Sequence, residues 1–485
     1  MASRDRSGHA VVLGASISGL LAARVLSDAF AKVTVVDRDE LPEAAVPRRC
    51  VPQGEHGHGL LAAGHAALAE LFDGFPADAA GLGGVPVDIQ RDILWISDGH
   101  PLRNAESGLR GLCLSRPAIE GYVRARVAAL PNVEIRAQHE AVGLLSTPDQ
   151  ARVTGAEVLP KGGAVHRIDA DLVVDATGRG NRGPTWLAML GYDPAPEETI
   201  DANMVYVTRE FRRTTGDAPH AAIVQSPWPG QPYGVVAIDV EGDRRQVTLL
   251  GCGPGITLPS EVDEFVAFAG RLPDRRVHDL ISGAEPLGPP HRMRLPVSVR
   301  RRYERLTRLP EGFVSVGDAV CSFNPAYGQG MTVAAAEALA LRDCLARGRR
   351  GLPRRFYART ARLLQAPWEI AVGGDLRFAH VDGVRTRKTK LINAYIGRVY
   401  RAAEHDPVVG RAFLRVANLV AAPPTLFAPA IVARVLRARR PAQAGDLRRR
   451  QPVHVPDRHP QGHADGQGAL RMPAGTPGHA VHRRS

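Results

Sequence analysis

The chain has 485 residues, of which 44% are hydrophobic and 23% are charged, so it can bury the core of a large globular protein. The formal net charge is +12, but only four of the 62 basic residues are lysines, and aromatic residues make up only 5%. Basic and aromatic residues do not interleave as a nucleic-acid surface requires, so we expect no nucleic-acid partner. Five scattered cysteines without a CxxC pair, and an N-terminal apolar run that is no signal peptide, predict a cytoplasmic protein with reduced thiols.

The first predicted elements are a strand, Ala10–Leu13, a glycine-rich turn and a helix that includes Leu20–Leu26. Gly14 permits the tight turn, and Gly19 lets the helix pack closely on the strand. Ser16 occupies the usual place of a second glycine and is small enough for a pyrophosphate to approach the backbone. Because a helix N-terminus attracts phosphate, this arrangement predicts a dinucleotide site.

A second predicted strand, Lys32–Val36, ends at an acidic residue, Asp37. Asp37 lies 23 residues after Gly14, close to the spacing of about 20 expected for an acid that binds a ribose hydroxyl. The strand, the turn, the helix and the acid together favour the dinucleotide interpretation over a turn without a ligand.

The middle of the chain is rich in strands separated by turn residues. We predict strands at Asn203–Phe211, Ala221–Gln225, Tyr233–Val240 and Gln246–Leu250. Such a sheet would cover a substrate cavity.

A second glycine-rich motif follows a predicted strand at Gly312–Val316 and precedes a predicted helix at Thr332–Arg347. Asp318 is placed to accept hydrogen bonds from a sugar-alcohol chain, and Gly328 and Gly330 would let the backbone approach a flat ring. The helix N-terminus would stabilise negative charge that develops on that ring. Together the two motifs predict a chain that wraps an FAD from both ends.

From about Ala10 to about Arg440 the chain resembles the class A flavoprotein monooxygenases, which have the fold of p-hydroxybenzoate hydroxylase. Three segments, Pro47–His58, Asp171–Arg182 and Asn324–Gly330, look most like the flavin-dependent epoxidases of polyether antibiotic pathways and their relatives. The resemblance implies an α/β fold: a Rossmann-like FAD-binding domain with an inserted β-sheet substrate domain and C-terminal helices.

The function implied by the resemblance is a monooxygenase of secondary metabolism. It would insert one oxygen atom of O2 into a hydrophobic small molecule, by epoxidation or hydroxylation, through a flavin C4a-hydroperoxide. Epoxidation needs no general base, whereas phenol hydroxylation usually gains from one. No catalytic side chain is assigned from the sequence.

The resemblance also implies a set of FAD-binding residues. Asp37 would bind the adenosine ribose, and Arg116 would lie near the ribityl chain and pyrophosphate, although a surface charge after the N-cap Ser115 is the alternative. Arg48 would accompany Arg49 on the segment that flanks the flavin. The full set is Gly14, Ser16, Gly19, Asp37, Arg38, Arg49, Gln53, Arg116, Asp318, Pro325, Gly328, Gln329, Gly330 and Met331.

One departure from related hydroxylases concerns the electron source, NAD(P)H. Many hydroxylases of this fold carry an Asp-Gly motif linked to FAD and nicotinamide binding, and here Thr177 replaces the acid before Gly178. We therefore hypothesise that a separate flavin reductase delivers the electrons.

After Leu352 the chain is predicted to be helical, including Leu391–Ala403 and Val408–Val420. The segment Val416–Ala433 has no charged residue and approaches the length of a membrane-spanning helix, but three prolines interrupt it. Packed helices are favoured there over contact with a membrane surface. Residues 441–485 are expected to be a disordered tail whose histidines bind no metal, so no metal site is expected.

Two further features permit both structural and functional interpretations. His56 and His58 could bond flavin or substrate, or serve the fold. The segment Pro367–Asp375 is interpreted as a helix start with Trp368 packed in the core.

The expected domains are a discontinuous FAD-binding domain (8–75, 105–185 and 295–350), a substrate-binding sheet domain (76–104 and 186–294), a helical region (351–440) and the tail. The alternatives are an FAD-dependent reductase or dehydrogenase of an isoprenoid-like alkene and a non-catalytic FAD-binding protein. The WxWxIP motif of tryptophan-type halogenases is absent from the sequence.

Overall fold

The computed structural model describes residues 6–180, 182–214, 216, 218–294 and 297–438, so the tail expected at 441–485 lies outside it. The strands of this part are β1 (His9–Leu13), β2 (Lys32–Asp37), β3 (Gly59–Leu60), β4 (Val85–Asp88), β5 (Ile93–Ser97), β6 (His100–Pro101), β7 (Arg110–Cys113), β8 (Val133–Ala137), β9 (His139–Ser146), β10 (Val153–Pro160), β11 (His166–Asp169), β12 (Leu172–Asp175), β13 (Glu197–Ile200), β14 (Met204–Arg212), β15 (Ala222–Gln225), β16 (Tyr233–Val240), β17 (Arg244–Cys252), β18 (Pro286–Arg294), β19 (Ser298–Arg301), β20 (Phe313–Ser315) and β21 (Cys321–Ser322).

The helices of the same part are α1 (Ile17–Leu26), α2 (Ala62–Leu71), α3 (Phe75–Gly81), α4 (Arg116–Ala128), α5 (Arg182–Met189), α6 (Val262–Ala269), α7 (Arg276–Ile281), α8 (Gly330–Leu345), α9 (Leu352–Leu363), α10 (Gln365–Asp375), α11 (Arg387–Ala403), α12 (Pro407–Ala417) and α13 (Pro429–Arg437).

A five-stranded parallel sheet forms the centre of the fold, with the strand order β20-β12-β1-β2-β8. The residues of β1, β2 and β12 are almost all buried, and successive side chains of a strand point to opposite faces, so both faces of this sheet are covered. Helix α1 packs beside α4 and α8, and the antiparallel sheet β11-β10-β9 packs near β12 and β2. The α/β fold expected from the sequence is confirmed.

The parallel arrangement explains why two distant motifs meet. The glycine-rich turn follows β1, Asp37 ends β2, and Gly317 follows β20 by two residues. All three therefore lie at the carboxyl edge of one sheet, where ligands of open α/β sheets bind.

A seven-stranded sheet, β18-β14-β17-β16-β15-β5-β6, packs on the first unit. One face carries Val207, Val235 and Leu249 and is covered by α6 and α7. The other face carries alternate residues of the same strands, including Tyr206 and Thr248, and is directed toward the motifs. The sequence did not predict β18, which contains three prolines; β18 forms the sheet edge, where a strand tolerates proline.

The C-terminal helices pack on this second sheet and on residues 85–113. Val399, Val409 and Leu414 are fully buried, and Val435 is nearly so. In the apolar segment Val416–Ala433, one proline opens a 3₁₀ turn at 423–427 and another opens α13. Among the described residues, none of the helices combines the length and the apolar character needed to cross a bilayer.

Candidate functional site

The first half of the site is the turn between β1 and α1. Gly14 has a φ of +110°, and a Cβ there would lie 2.4 Å from the carbonyl oxygen of Ala176. A Cβ on Gly19 would lie 1.8 Å from the carbonyl oxygen of Gly14, so Gly19 permits close packing, as expected. Ser16 is the N-cap of α1, but its side chain makes no capping hydrogen bond. The first N–H groups of α1 are therefore without a side-chain cap, which suits an anionic ligand.

Asp37 lies directly beside this turn. Its carboxylate accepts a hydrogen bond of 2.6 Å from the backbone N–H of Ala15 and another from the N–H of Asp39. The buried guanidinium of Arg48 lies 3.5 Å from the same carboxylate. These contacts fix the acid at the end of β2, at the rim of the turn.

A buried cluster of charged side chains lies behind the turn between β1 and α1. Glu120 accepts hydrogen bonds from Arg48 (2.7 Å), from Arg116 (3.0 Å) and from the Ser16 hydroxyl (2.8 Å). Burial alone would raise the pKa of Glu120, but Arg116 and Arg48 lower it below the ordinary value. The cluster thus holds an ionised carboxylate between two guanidinium groups.

The second half begins after β20. A Gly317 N–H donates a 2.5 Å hydrogen bond to the fully buried Glu337 of α8, and burial raises the pKa of Glu337 to about 8. Asp318 is part-exposed, and its carboxylate lies 3.3 Å from the Nε of Arg179. Arg179 also donates to the Phe323 carbonyl and so ties the 3₁₀ turn at 178–180 to the second motif.

The loop from Asn324 to Gly330 is held by a polar cluster on its inner side. The Asn324 amide donates to Asp375 (3.0 Å) and accepts from the Tyr206 hydroxyl (2.7 Å). The Tyr327 hydroxyl also donates to Asp375 (2.9 Å). Burial raises the pKa of Asp375 to about 6, although both of these hydrogen bonds oppose the shift. The loop is therefore fastened to β14 and to the end of α10.

The glycines of this loop leave open space. Gly328 has a φ of +65°, which disfavours other residues, and nothing lies within 4 Å of a Cβ placed on Gly330. Helix α8 begins at Gly330, two residues earlier than predicted, and its N-cap Gln329 makes no side-chain capping bond. A second helix N-terminus thus lies at the site.

The two halves line one cleft with a volume of about 470 Å³. Of the residues expected to bind a cofactor, those that line it are Gly14, Ser16, Asp37, Arg38, Gln53, Arg116, Asp318, Pro325, Gly328, Gln329, Gly330 and Met331. Gly19 is buried behind the turn, and Arg49 is exposed and does not line the cleft. Its neighbour Arg48 is the arginine that faces inward.

The two histidines have different surroundings. His56 is buried and bonds to the Thr208 hydroxyl of β14 (2.8 Å), which is a structural contact. His58 lines the cleft, and its Nδ1 lies 2.8 Å from the His56 carbonyl oxygen. Burial, and then the charge of Arg116, lower the pKa of His58 to about 4. His58 is therefore neutral at physiological pH.

Thr177 also lines the cleft. Its hydroxyl donates a 2.7 Å hydrogen bond to Asp175, which is fully buried at the end of β12, and its N–H donates to the same oxygen. Thr177 thus closes the turn before Gly178.

Sequence reasoning missed Glu120, Glu337, Asp375 and Tyr206. Each is polar, buried and bonded to a residue of the two motifs. The distinctive segment at 367–375 was the one signal for Asp375. Trp368 is buried near Phe323, as expected, and Asp375 ends the same helix.

The cleft fits a dinucleotide with a flat ring. Two helix N-termini without side-chain caps lie at it, and glycines open its surface at both ends. Three buried polar atoms of cleft residues, the Nη1 of Arg48, the Nε of Arg116 and the Oε1 of Gln329, have no hydrogen-bond partner among the described residues. Each would gain a partner from a polar ligand. Among the described residues, no group of three or more potential ligands suits a metal ion.

Comparison with solved structures establishes the fold. The flavin-dependent brominase Bmp2 has a TM-score of 0.62 and 14% identity, covering 84% of this chain and 93% of its own. A flavoprotein/dehydrogenase of Cytophaga hutchinsonii has a TM-score of 0.63 and 15% identity, with coverages of 88% and 96%. PqsL, a probable FAD-dependent monooxygenase of Pseudomonas aeruginosa, has a TM-score of 0.56 and 15% identity, with coverages of 76% and 97%.

Comparison by sequence gives a closer relation. No protein-family model matches the chain. Protein Rv3254 of Mycobacterium tuberculosis (strain ATCC 25618 / H37Rv) is 36% identical over 432 residues, which cover 84% of this chain and 88% of that protein. The chain therefore belongs to the same protein family as Rv3254.

Proposed function

We propose that the chain binds FAD in the cleft and is a monooxygenase of a hydrophobic small molecule. The observation that carries the proposal is that the two glycine-rich motifs, which are about 300 residues apart in the sequence, line one cleft together with two helix N-termini. Asp37 would hold the adenosine ribose, and the N-terminus of α1 with Arg116 would hold the pyrophosphate. The loop from Pro325 to Met331 would line the flavin ring.

When bound, FAD would supply the redox chemistry and the reaction with O2. The protein would orient the substrate and exclude water. The second sheet contributes Met293 and Arg294 of β18 to the cleft wall, and Met293 offers an apolar side chain to a hydrophobic substrate. His58, with a pKa of about 4, is a weak base. A weak base there is compatible with epoxidation, which the resemblance to the polyether epoxidases suggests, because epoxidation needs no general base.

We also propose that a separate reductase supplies the electrons from NAD(P)H. Thr177 is engaged with Asp175 through both its hydroxyl and its N–H. The acid linked to nicotinamide binding in related hydroxylases is missing at this position.

The test is anaerobic reduction of the FAD-loaded protein, followed by mixing with oxygenated buffer and stopped-flow absorbance. A transient species distinct from oxidised and reduced FAD, which decays slowly without substrate, is expected. Free FAD is the control. Direct return of the oxidised spectrum, in protein that retains FAD and with alkene substrates present, would instead support a reductase or dehydrogenase. Rapid bleaching of the flavin by NADPH alone would remove the need for a partner reductase.

A further inference from the structure

Exposed apolar side chains are concentrated near the C-terminus. Among the described residues, six of the eleven exposed large hydrophobic side chains lie between residues 384 and 436. The two with the greatest exposure in this segment are Val384 (81%) and Leu391 (73%). Scattered single apolar residues are ordinary on a protein surface, whereas exposed apolar residues that adjoin one another indicate an interaction surface.

Three of these side chains lie around the start of α11. Leu391 is one turn before Tyr395, and the Phe427 ring stacks on the Tyr395 ring with centroids 4.7 Å apart. The Tyr395 hydroxyl donates a 2.8 Å hydrogen bond to the Leu426 carbonyl, which fixes the pair. Val384 lies three residues before α11 begins. We call this area, with the cations described next, the α11 surface.

Four cations belong to the α11 surface: Arg387, Lys388, Lys390 and Arg398. All four are exposed, and none forms an ion pair with an acidic side chain in the part of the chain that the structure describes. Residues 384–437 hold ten basic and two acidic residues, a net charge of +8. This excess contrasts with the cleft, where Arg48 and Arg116 are paired with Glu120.

The α11 surface is preformed. The Thr386 side chain caps the helix by accepting a hydrogen bond from the Thr389 N–H (3.0 Å). The C-terminal end of α11 is anchored by Val399, Ala402 and Ala403, all fully buried. The exposed N-terminal part of the helix therefore needs no refolding before it meets a partner.

We propose that the α11 surface docks on an anionic lipid bilayer. The α11 surface combines exposed apolar side chains with cations that have no ion-pair partner among the described residues, and a bilayer combines charged headgroups with acyl chains beneath them. The positive charge complements anionic headgroups, and the apolar side chains would enter the boundary with the acyl chains. This inference does not depend on the cofactor.

The experiment is co-sedimentation of the full chain with vesicles of phosphatidylcholine, with or without about one-third phosphatidylserine. We expect binding to the anionic vesicles alone, weakening as salt is raised. The combined variant Arg387→Gln, Lys388→Gln, Lys390→Gln and Arg398→Gln should lower the partition coefficient roughly 100-fold or more. Leu391→Asn, which keeps the charge, should lower it roughly 10-fold.

A matched control removes the same charge elsewhere. Arg6, Arg271, Arg347 and Arg362 are exposed, lie on other parts of the chain and make no ion pair within the described ranges. Their joint replacement by Gln should leave the partition coefficient within about threefold of wild type.

Four results would overturn the proposal. One is no binding to anionic vesicles. The second is an equal loss in the control, which would mean attraction by net charge alone. The third is full binding by the α11 variant, which would assign the attraction to the basic segment 441–485. The fourth is self-association that Leu391→Asn abolishes, which would assign the surface to a second copy of the chain.

Discussion

A buried glutamate lies behind each half of the cleft, and the two glutamates differ in their charge. Glu120 lies between Arg48 and Arg116, which lower its pKa despite burial, and it is a carboxylate at neutral pH. Glu337 accepts a hydrogen bond from the Gly317 N–H, and burial together with the charge of Asp318 raises its pKa to about 8, so it is mostly a neutral acid at neutral pH. The glutamate behind the half proposed to hold phosphate is therefore charged, and the glutamate at the start of the second motif is neutral.

The largest expected effect is from Glu120→Gln. The change leaves two buried guanidinium groups without their shared counter-charge, and breaking a buried ion pair from one side is strongly destabilising. We expect the free energy of unfolding to fall by about 3 kcal/mol, measured by urea unfolding at neutral pH. A loss below about 1 kcal/mol would show that the cluster is not organised by charge.

The charge of Glu120 also predicts a pH dependence. Because its folded-state pKa lies below the ordinary 4.5, its contribution is present above that value and is lost as pH falls through the folded-state pKa. The difference in unfolding free energy between wild type and Glu120→Gln should therefore be constant near neutral pH and shrink in acid below 4.5. A difference that persists unchanged in acid would contradict this assignment.

Glu337 offers the matched contrast. Glu337→Gln keeps a neutral oxygen that can accept from the Gly317 N–H, so it should change the unfolding free energy by less than about 1 kcal/mol. Glu337→Ala leaves that N–H buried without an acceptor and opens a cavity, so it should cost about 2 kcal/mol. If Gln is as damaging as Ala, then Glu337 is ionised and the contrast between the halves fails.

Asp375 is expected to give the smallest effect in acid, where its carboxyl is protonated and neutral like the amide that replaces it. Asp375→Asn keeps an oxygen that can accept from Tyr327 and Asn324. Since its folded-state pKa is raised to about 6, the contribution of Asp375 to stability is greatest below the ordinary value of 3.8 and is lost as pH rises through about 6. The variant should therefore gain about 3 kcal/mol relative to wild type across this range, measured by urea unfolding on both sides of it. Parallel pH profiles would contradict the assignment.

The sequence predicted those parts of the fold that depend on neighbouring residues. The strand, turn and helix of each motif are local patterns, and β1, β2 and α8 lie within two residues of their predicted bounds at each end. Tyr233–Val240 was predicted without error as β16. The role of Gly19 also followed from local packing alone.

The supporting residues could not be predicted because their partners are distant in the chain. Glu120 is 104 residues from Ser16, Asp375 is 51 from Asn324, and Tyr206 is 118 from Asn324. A lone buried acid leaves no periodic signal, and its purpose appears only when the fold brings its donors to it. The sequence also could not show whether Arg48 or Arg49 faces the cleft. Adjacent residues in an irregular segment point in different directions, and only tertiary contacts show which of the two is buried.

The central claim is that both motifs bind a single FAD. Equilibrium titration of the cofactor-free protein with FAD, followed by flavin fluorescence, tests it most directly. The variant is Gly330→Leu. A Cβ at Gly330 meets nothing within 4 Å, so the leucine is accommodated by the protein but fills the space proposed for the flavin ring. We predict that one FAD binds per chain and that the variant binds FAD at least about 100-fold more weakly at unchanged stability. ADP would occupy only the first half of the cleft, so it should compete with FAD equally well in both proteins. Absence of saturable FAD binding, or equal FAD affinity in the variant, would contradict the claim.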